Sequence, residues 1–137
     1  KGLCLLPMRY QGNRALLYLY RPRCLRRDLT NDLATEVLSG AGYQGKSCEQ
    51  CVARLMHRLR EGQEFPHEVG LFLSYPPEDV KGFIDNRAEN FKCAGLWKVY
   101  GDEKRARELF ARYKRCTDIY CALWRAGSSI EQLAVPV

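Results

Sequence analysis

The sequence predicts an α/β fold: a single mixed sheet, built from an N-terminal hairpin and a strand–helix–strand crossover, packed with helices in the order ββααβαβα. Three observations predict it. Two apolar runs, Leu3 to Tyr10 and Ala15 to Tyr20, flank the turn residues Gln11-Gly12-Asn13, which reads as a hairpin over about 2–10 and 14–21. Two further apolar runs, 69–75 and 93–100, enclose a helical pattern within a unit the size of a right-handed parallel crossover. Three other stretches carry apolar residues at helical spacing, or helix start and stop signals.

Each element has a local reason. Pro7 favours an edge position or a bulge for the first strand, and Pro22 ends the second because it has no N–H to donate. From Asp28, Leu29, Leu33, Val37 and Leu38 recur at helical spacing until Gly40 and Gly42. Ser47-Cys48-Glu49-Gln50 fits a capping box for a helix with the stripe Val52, Leu55, Met56, Leu59 and a stop at Gly62. The run 69–75 has the look of a strand covered on both faces. Pro76-Pro77-Glu78-Asp79 opens a helix with proline at its start and carboxylates in its first turn; Gly82 weakens that helix or permits close packing. Residues 93–100 are expected as a strand with both faces largely apolar and Trp97 in the core. Asp102 caps the longest helix, about 103–126, whose stripe Ala106, Leu109, Phe110, Tyr113, Thr117, Tyr120 and Trp124 is expected to pack on the sheet. Gly127 stops it, and a short turn and an extended end follow.

The chain has 137 residues, the commonest size of one domain, and 46% apolar against 28% charged residues exclude disorder and collagen-like repetition. No apolar run approaches the ~20 residues needed to span a bilayer. The chain opens at Lys1 without Met and with no visible signal peptide, and it is expected to lack a native N-terminal segment. The net charge is +6, and it is uneven: residues 1–27 hold seven basic and no acidic side chains, while the rest sums to about −1. Arg21, Arg23, Arg26 and Arg27 are therefore candidate anion-binding residues, for nucleic acid or another polyanion. The alternative is a solvated basic edge paired with Asp28, Asp32, Glu36 or carboxylates of the expected N-terminal segment.

Seven cysteines, at 4, 24, 48, 51, 93, 116 and 121, form no repeated framework, which places the chain in a reducing cytoplasm. Cys48 and Cys51 alone have a spacing with a mechanism, as half of a thiolate metal site or as a dithiol at a helix N-terminus, with Lys46 adding positive charge. Burial of Cys51 is the alternative. Cys116 and Cys121 lie about 500° apart around a helix and make a poor chelate.

Phosphate-binding, zinc and nucleophile-elbow motifs are absent. If 69–75 and 93–100 are adjacent parallel strands, the loops after them share one end of the sheet, where ligands of open sheets bind. Tyr75, Glu78, Asp79, Tyr100, Gly101 and Asp102 then line a candidate pocket. Helix capping alone also explains the three carboxylates, and it is the simpler reading.

The stretches Pro66-His67-Glu68-Val69-Gly70-Leu71-Phe72-Leu73-Ser74-Tyr75-Pro76-Pro77-Glu78-Asp79, Lys92-Cys93-Ala94-Gly95-Leu96-Trp97-Lys98-Val99-Tyr100 and Lys114-Arg115-Cys116-Thr117-Asp118-Ile119-Tyr120-Cys121 resemble an uncharacterised domain family of anaerobic Gram-positive bacteria. The resemblance implies a bacterial protein without assigned chemistry, a redox or iron-related partner, and a longer N-terminus with an apolar segment containing His and Cys. The functional expectation is a non-enzymatic binding or accessory protein with an unidentified ligand. A thiol-dependent metal or redox protein, and an anion or nucleic-acid binder, are the competing readings.

Overall fold

The computed structural model describes residues 1–136. It is a mixed α/β architecture of seven helices and two separate two-stranded antiparallel sheets: β1 Cys4–Gln11, β2 Arg14–Tyr20, α1 Pro22–Leu29, α2 Asp32–Gly40, α3 Cys48–Glu61, α4 Val69–Phe72, α5 Pro77–Asp85, β3 Cys93–Ala94, β4 Lys98–Val99, α6 Glu103–Arg125 and α7 Ile130–Leu133. No helix among the described residues is long and apolar enough to cross a membrane.

The single mixed sheet is overturned. The run 69–75 is not a strand: Val69–Phe72 forms one helical turn, and the amides of Leu73 and Tyr75 both donate to the Gly70 carbonyl. Ser74, at φ 59°, then reverses the chain. A short apolar run is equally compatible with a buried helical turn and with a buried strand, because periodicity does not separate them. The run 93–100 is also not one strand. It folds on itself as β3 and β4, with Cys93 opposite Val99 and the Gly95 amide donating to the Trp97 carbonyl. Gly95 explains the fold-back, because a Cβ there would stand 2.4 Å from the Phe110 ring. The 77–85 helix therefore connects two short non-parallel elements, and the crossover does not exist.

The N-terminal hairpin holds as expected. Leu5 pairs with Leu19 and Leu6 with Tyr18, and a bulge falls between Pro7 and Arg9, where Pro7 has no amide to donate. Pro22 does more than end β2: it occupies the first turn of α1, where a missing N–H costs nothing. Asn31 then caps α2, its Oδ1 accepting from the amides of Leu33 and Ala34. The predicted capping box at Ser47 is present with both reciprocal bonds.

The main core gathers one face of the hairpin with α1 to α5. Met8, Ala34 and Leu55 are all at most 1% exposed. Each fully buried large side chain contributes about 1.5–3 kcal/mol. A second, smaller cluster holds Trp97, Val99 and Ala106, and Tyr75 packs against both clusters.

Helix α6 departs most from expectation. Asp102 caps it as predicted, accepting from the Arg105 amide. Its stripe is covered only at the start: Ala106 is buried and Leu109, Phe110 and Tyr113 are partly covered, whereas residues 114–127 are exposed throughout. The stripe was expected to lie on a sheet that is not there. Twenty-three residues make about 35 Å of helix, and the small Trp97 cluster spans only its first turns. Leu109→Ala is expected to cost about 2 kcal/mol in denaturant unfolding. Trp124→Ala is expected to change stability by less than about 0.5 kcal/mol, because Trp124 is 57% exposed. Equal losses for the two variants would mean that the whole stripe is packed.

Candidate functional site

The residues predicted to line a pocket lie near one another but not at the end of a parallel sheet, and of the six only Tyr75 and Asp79 line the neighbouring cleft. Asp79 is 3% exposed, in the first turn of α5. Its Oδ2 accepts from Trp97 Nε1 at 2.8 Å, and its Oδ1 accepts from the backbone amides of Tyr100 at 2.9 Å and Gly101 at 2.8 Å. One carboxylate thus ties the β3–β4 hairpin and the entry to α6 onto α5. Tyr75 stacks on Trp97 with centroids 4.5 Å apart, and Phe110 meets the same indole edge-on at 4.5 Å. Tyr100 lies over Gly82, where a Cβ would stand 2.4 Å from the Tyr100 Cβ; of the two readings of Gly82, close packing is the one observed. The Tyr100 hydroxyl donates to the Glu89 carbonyl. Glu78 packs over Gly101, and Asp102 caps α6. These groups are placed together, and most of their hydrogen bonds hold the fold.

Beside this cluster lies an open cleft of about 380 Å³, lined by Phe65, His67, Phe83, Leu96, Trp97 and Lys98 among others. The His67 ring tilts against Phe83 at 5.1 Å. Lys98 does not reach into the cleft as a free cation, since its Nζ donates to the Ala88 carbonyl at 2.8 Å and sits over the Phe91 ring.

Cys48 and Cys51 occupy the first turn of α3, as expected. Burial pushes both thiols up; Glu49 adds to this at Cys48, while the smaller opposing pulls of Arg26 and Lys46 do not reverse it. The thiol form is therefore favoured near neutral pH, contrary to the helix-dipole expectation. The environment matches the buried-cysteine alternative, above all at Cys51, which is 4% exposed. All seven cysteines are free. No group of three or more metal-ligating side chains occurs among the described residues.

The four arginines are engaged separately. Arg26 pairs with Glu49 at 2.6 Å and Arg27 with Asp28 at 2.9 Å. Arg21 donates to the backbone carbonyls of Lys1 and Val135. Arg23 is exposed and forms no ion pair among the described residues. Pairing with Asp28, one of the expected partners, is observed for Arg27 alone.

Two features were missed in the sequence. The first is a buried network in which the Tyr43 hydroxyl donates to Glu68 Oε1 at 2.9 Å while Arg58 Nε stands 2.7 Å from the same oxygen. Burial and the Glu68 carboxylate push the Tyr43 phenol well above its ordinary range. The Glu68 carboxylate, 3% exposed, needs such partners to be tolerated. The only sequence signal was a charged residue abutting the apolar run at Val69. The second is the apolar surface of the hairpin and α6, whose signal was the length of the α6 stripe relative to anything able to cover it.

The fold and these sites define a small mixed α/β domain with two side-by-side cores, the second hung on a buried carboxylate. The chain belongs to the DUF3793 family, described as a protein of unknown function, and matches it over residues 1–134. No curated protein and no solved structure matches the chain.

Asp79→Ala removes the acceptor of three hydrogen bonds and leaves the Trp97, Tyr100 and Gly101 donors without it. Bonds to a charged group contribute about 1.5–3 kcal/mol each and are not additive, so a loss of about 3 kcal/mol or more is expected. The near-ultraviolet dichroism of Trp97 is expected to collapse with it. A variant with wild-type stability would show that the carboxylate does not hold the hairpin.

Proposed function

We propose that this chain is a non-enzymatic binding or accessory domain that captures another polypeptide, and that the partner presents an acidic amphipathic helix to the second half of α6. The observation behind this reading is the continuation of the α6 apolar arc beyond the Trp97 cluster, where its side chains are left exposed. Ile119, Tyr120, Leu123 and Trp124 are 42–57% exposed, on a helix segment exposed on every side. A helix gains most of its stability from covering an apolar face, so an uncovered arc of this kind favours a second helix laid against it.

Charge selects the kind of helix. Asp118 is held by Lys114 at 2.7 Å, whereas Arg112, Arg115 and Arg125 form no ion pair among the described residues. The flanks of the arc are therefore net positive. A like-charged helix is repelled there, and a helix flanked by glutamate is attracted. The seven free thiols support a reducing cytoplasm as the setting.

The test uses two synthetic helical peptides with leucine at the a and d positions of each heptad, one with glutamate and the other with lysine at e and g. The glutamate peptide is expected to bind with a dissociation constant that rises at least tenfold between 50 and 500 mM salt, as roughly three screened charge contacts require. Leu123→Ser with Trp124→Ser is expected to abolish binding without changing the melting temperature. Equal binding of the lysine peptide, or no binding of either, would refute the reading.

A further inference from the structure

The two edges of the N-terminal hairpin are unlike. The β1 edge carries several of the devices that natural sheets use to prevent pairing. Pro7 has no amide, a bulge follows it, and Arg60 donates from Nε to the Met8 carbonyl at 2.9 Å and from its terminal nitrogen to the Pro7 carbonyl at 3.3 Å. Arg9 reaches from the same strand to the Leu59 carbonyl, so α3 closes that edge. The β2 edge carries none of these. Its seven residues, Arg14–Tyr20, contain no proline and no bulge, and among the described residues their backbone makes no hydrogen bond outside the β1–β2 pair.

The β2 edge also opens onto a groove. A depression of about 720 Å³ runs along Tyr18, Leu19 and Tyr20 and is walled by Phe72, Leu73 and Tyr120 on its far side. The outer face of the hairpin is apolar as well: Leu5 is 58%, Leu17 55% and Leu19 61% exposed. At the far end of the hairpin Leu16 is 44% and Tyr10 68% exposed.

We infer that β2 pairs antiparallel with β2 of a second copy of this chain, joining two hairpins into one four-stranded sheet across a twofold axis. The strand is self-complementary in that register. Centred on Leu17, it sets Leu17 against the partner's Leu17, Leu16 against the partner's Tyr18, and Ala15 against the partner's Leu19. Arg14 falls opposite the partner's Tyr20, so no like charges face each other across the ladder. The same register lays Arg14–Leu16, the start of β2 just after the turn, along Tyr18–Tyr20 of the other copy, which is where the groove lies. A hairpin cannot fill this groove from within its own chain, because it forms one of the walls.

The area on the edge itself is modest. Leu16, Leu17, Leu19 and Tyr120 offer roughly 100 Å² each, about 400 Å² of apolar surface against the ~800 Å² per partner of a standard interface, and the backbone ladder between the two strands adds hydrogen bonds to it. This surface shares Tyr120 with the α6 arc, but the inference is carried by the β2 edge and does not rest on the proposed helix partner.

Sedimentation of the whole protein at about 50 µM tests it. A dimer is expected, and Leu17→Lys is expected to yield a monomer with an unchanged far-ultraviolet spectrum and melting curve. Register is read by oxidative crosslinking of single added cysteines, relative to the wild-type background. Leu17→Cys is expected to crosslink to its partner copy at least tenfold faster than Leu19→Cys, whose sulfurs fall about four residues apart across the axis. A monomer at 100 µM would overturn the inference and would leave the β2 edge to a strand from a different polypeptide. A dimer that survives Leu17→Lys, or that crosslinks at both positions alike, would overturn it too.

Discussion

The carboxylate of Asp79 is the interaction on which the C-terminal half of the molecule depends. The segment after α5 has little apolar surface of its own to bury: its core is Trp97, Val99 and Ala106, with Tyr75 shared from the main cluster. Its strands are two residues each, too short to be stable alone. A single buried acceptor that binds the indole N–H and two consecutive amides supplies the order that packing does not. It also sets the direction in which α6 leaves the body, since Gly101 and Asp102 immediately precede that helix. The proximity of Asp79 to the cleft at His67 and Phe83 is then a consequence of this bracing.

What was legible in the sequence was local. The hairpin, the capping box at Ser47, the proline-led start of α5 and the Asp102 cap of α6 each depend on interactions within a few residues, and all are present. What was not legible was the pairing of the two apolar runs. Val69–Tyr75 and Cys93–Tyr100 have strand-like composition, but Gly70 and Gly95 are positions of close approach: an added Cβ would stand 2.8 Å from Val80 and 2.4 Å from Phe110 respectively. Tertiary crowding decided those conformations, and no periodicity reports it. The grouping of Tyr75, Asp79, Tyr100 and Asp102 was foreseen for a reason that does not apply. They meet because Asp79 gathers the hairpin, not because parallel strands end together.

The exposed surface follows from the same architecture. With no central sheet, the outer face of the hairpin and most of the second half of α6, which α7 meets only near its end, keep exposed the apolar side chains that a sheet layer would have covered. Their rims differ. The α6 arc is flanked by Arg112, Arg115 and Arg125, which form no ion pair among the described residues, whereas β2 carries its only charge at one end. The positively charged segment 1–27 is partly neutralised by Glu49 and Asp28, so its charge is smaller at the surface than the sequence suggests.

Native-state hydrogen exchange at the amides of Tyr100 and Gly101 tests the central claim most directly, because these two N–H groups lie outside any helix and donate to Asp79 alone. If the carboxylate braces the second core, both amides exchange as slowly as those inside α5, and both become unprotected together in Asp79→Ala while α3 stays protected. Exchange of Tyr100 and Gly101 at the rate of an open loop in the wild-type protein would contradict the account.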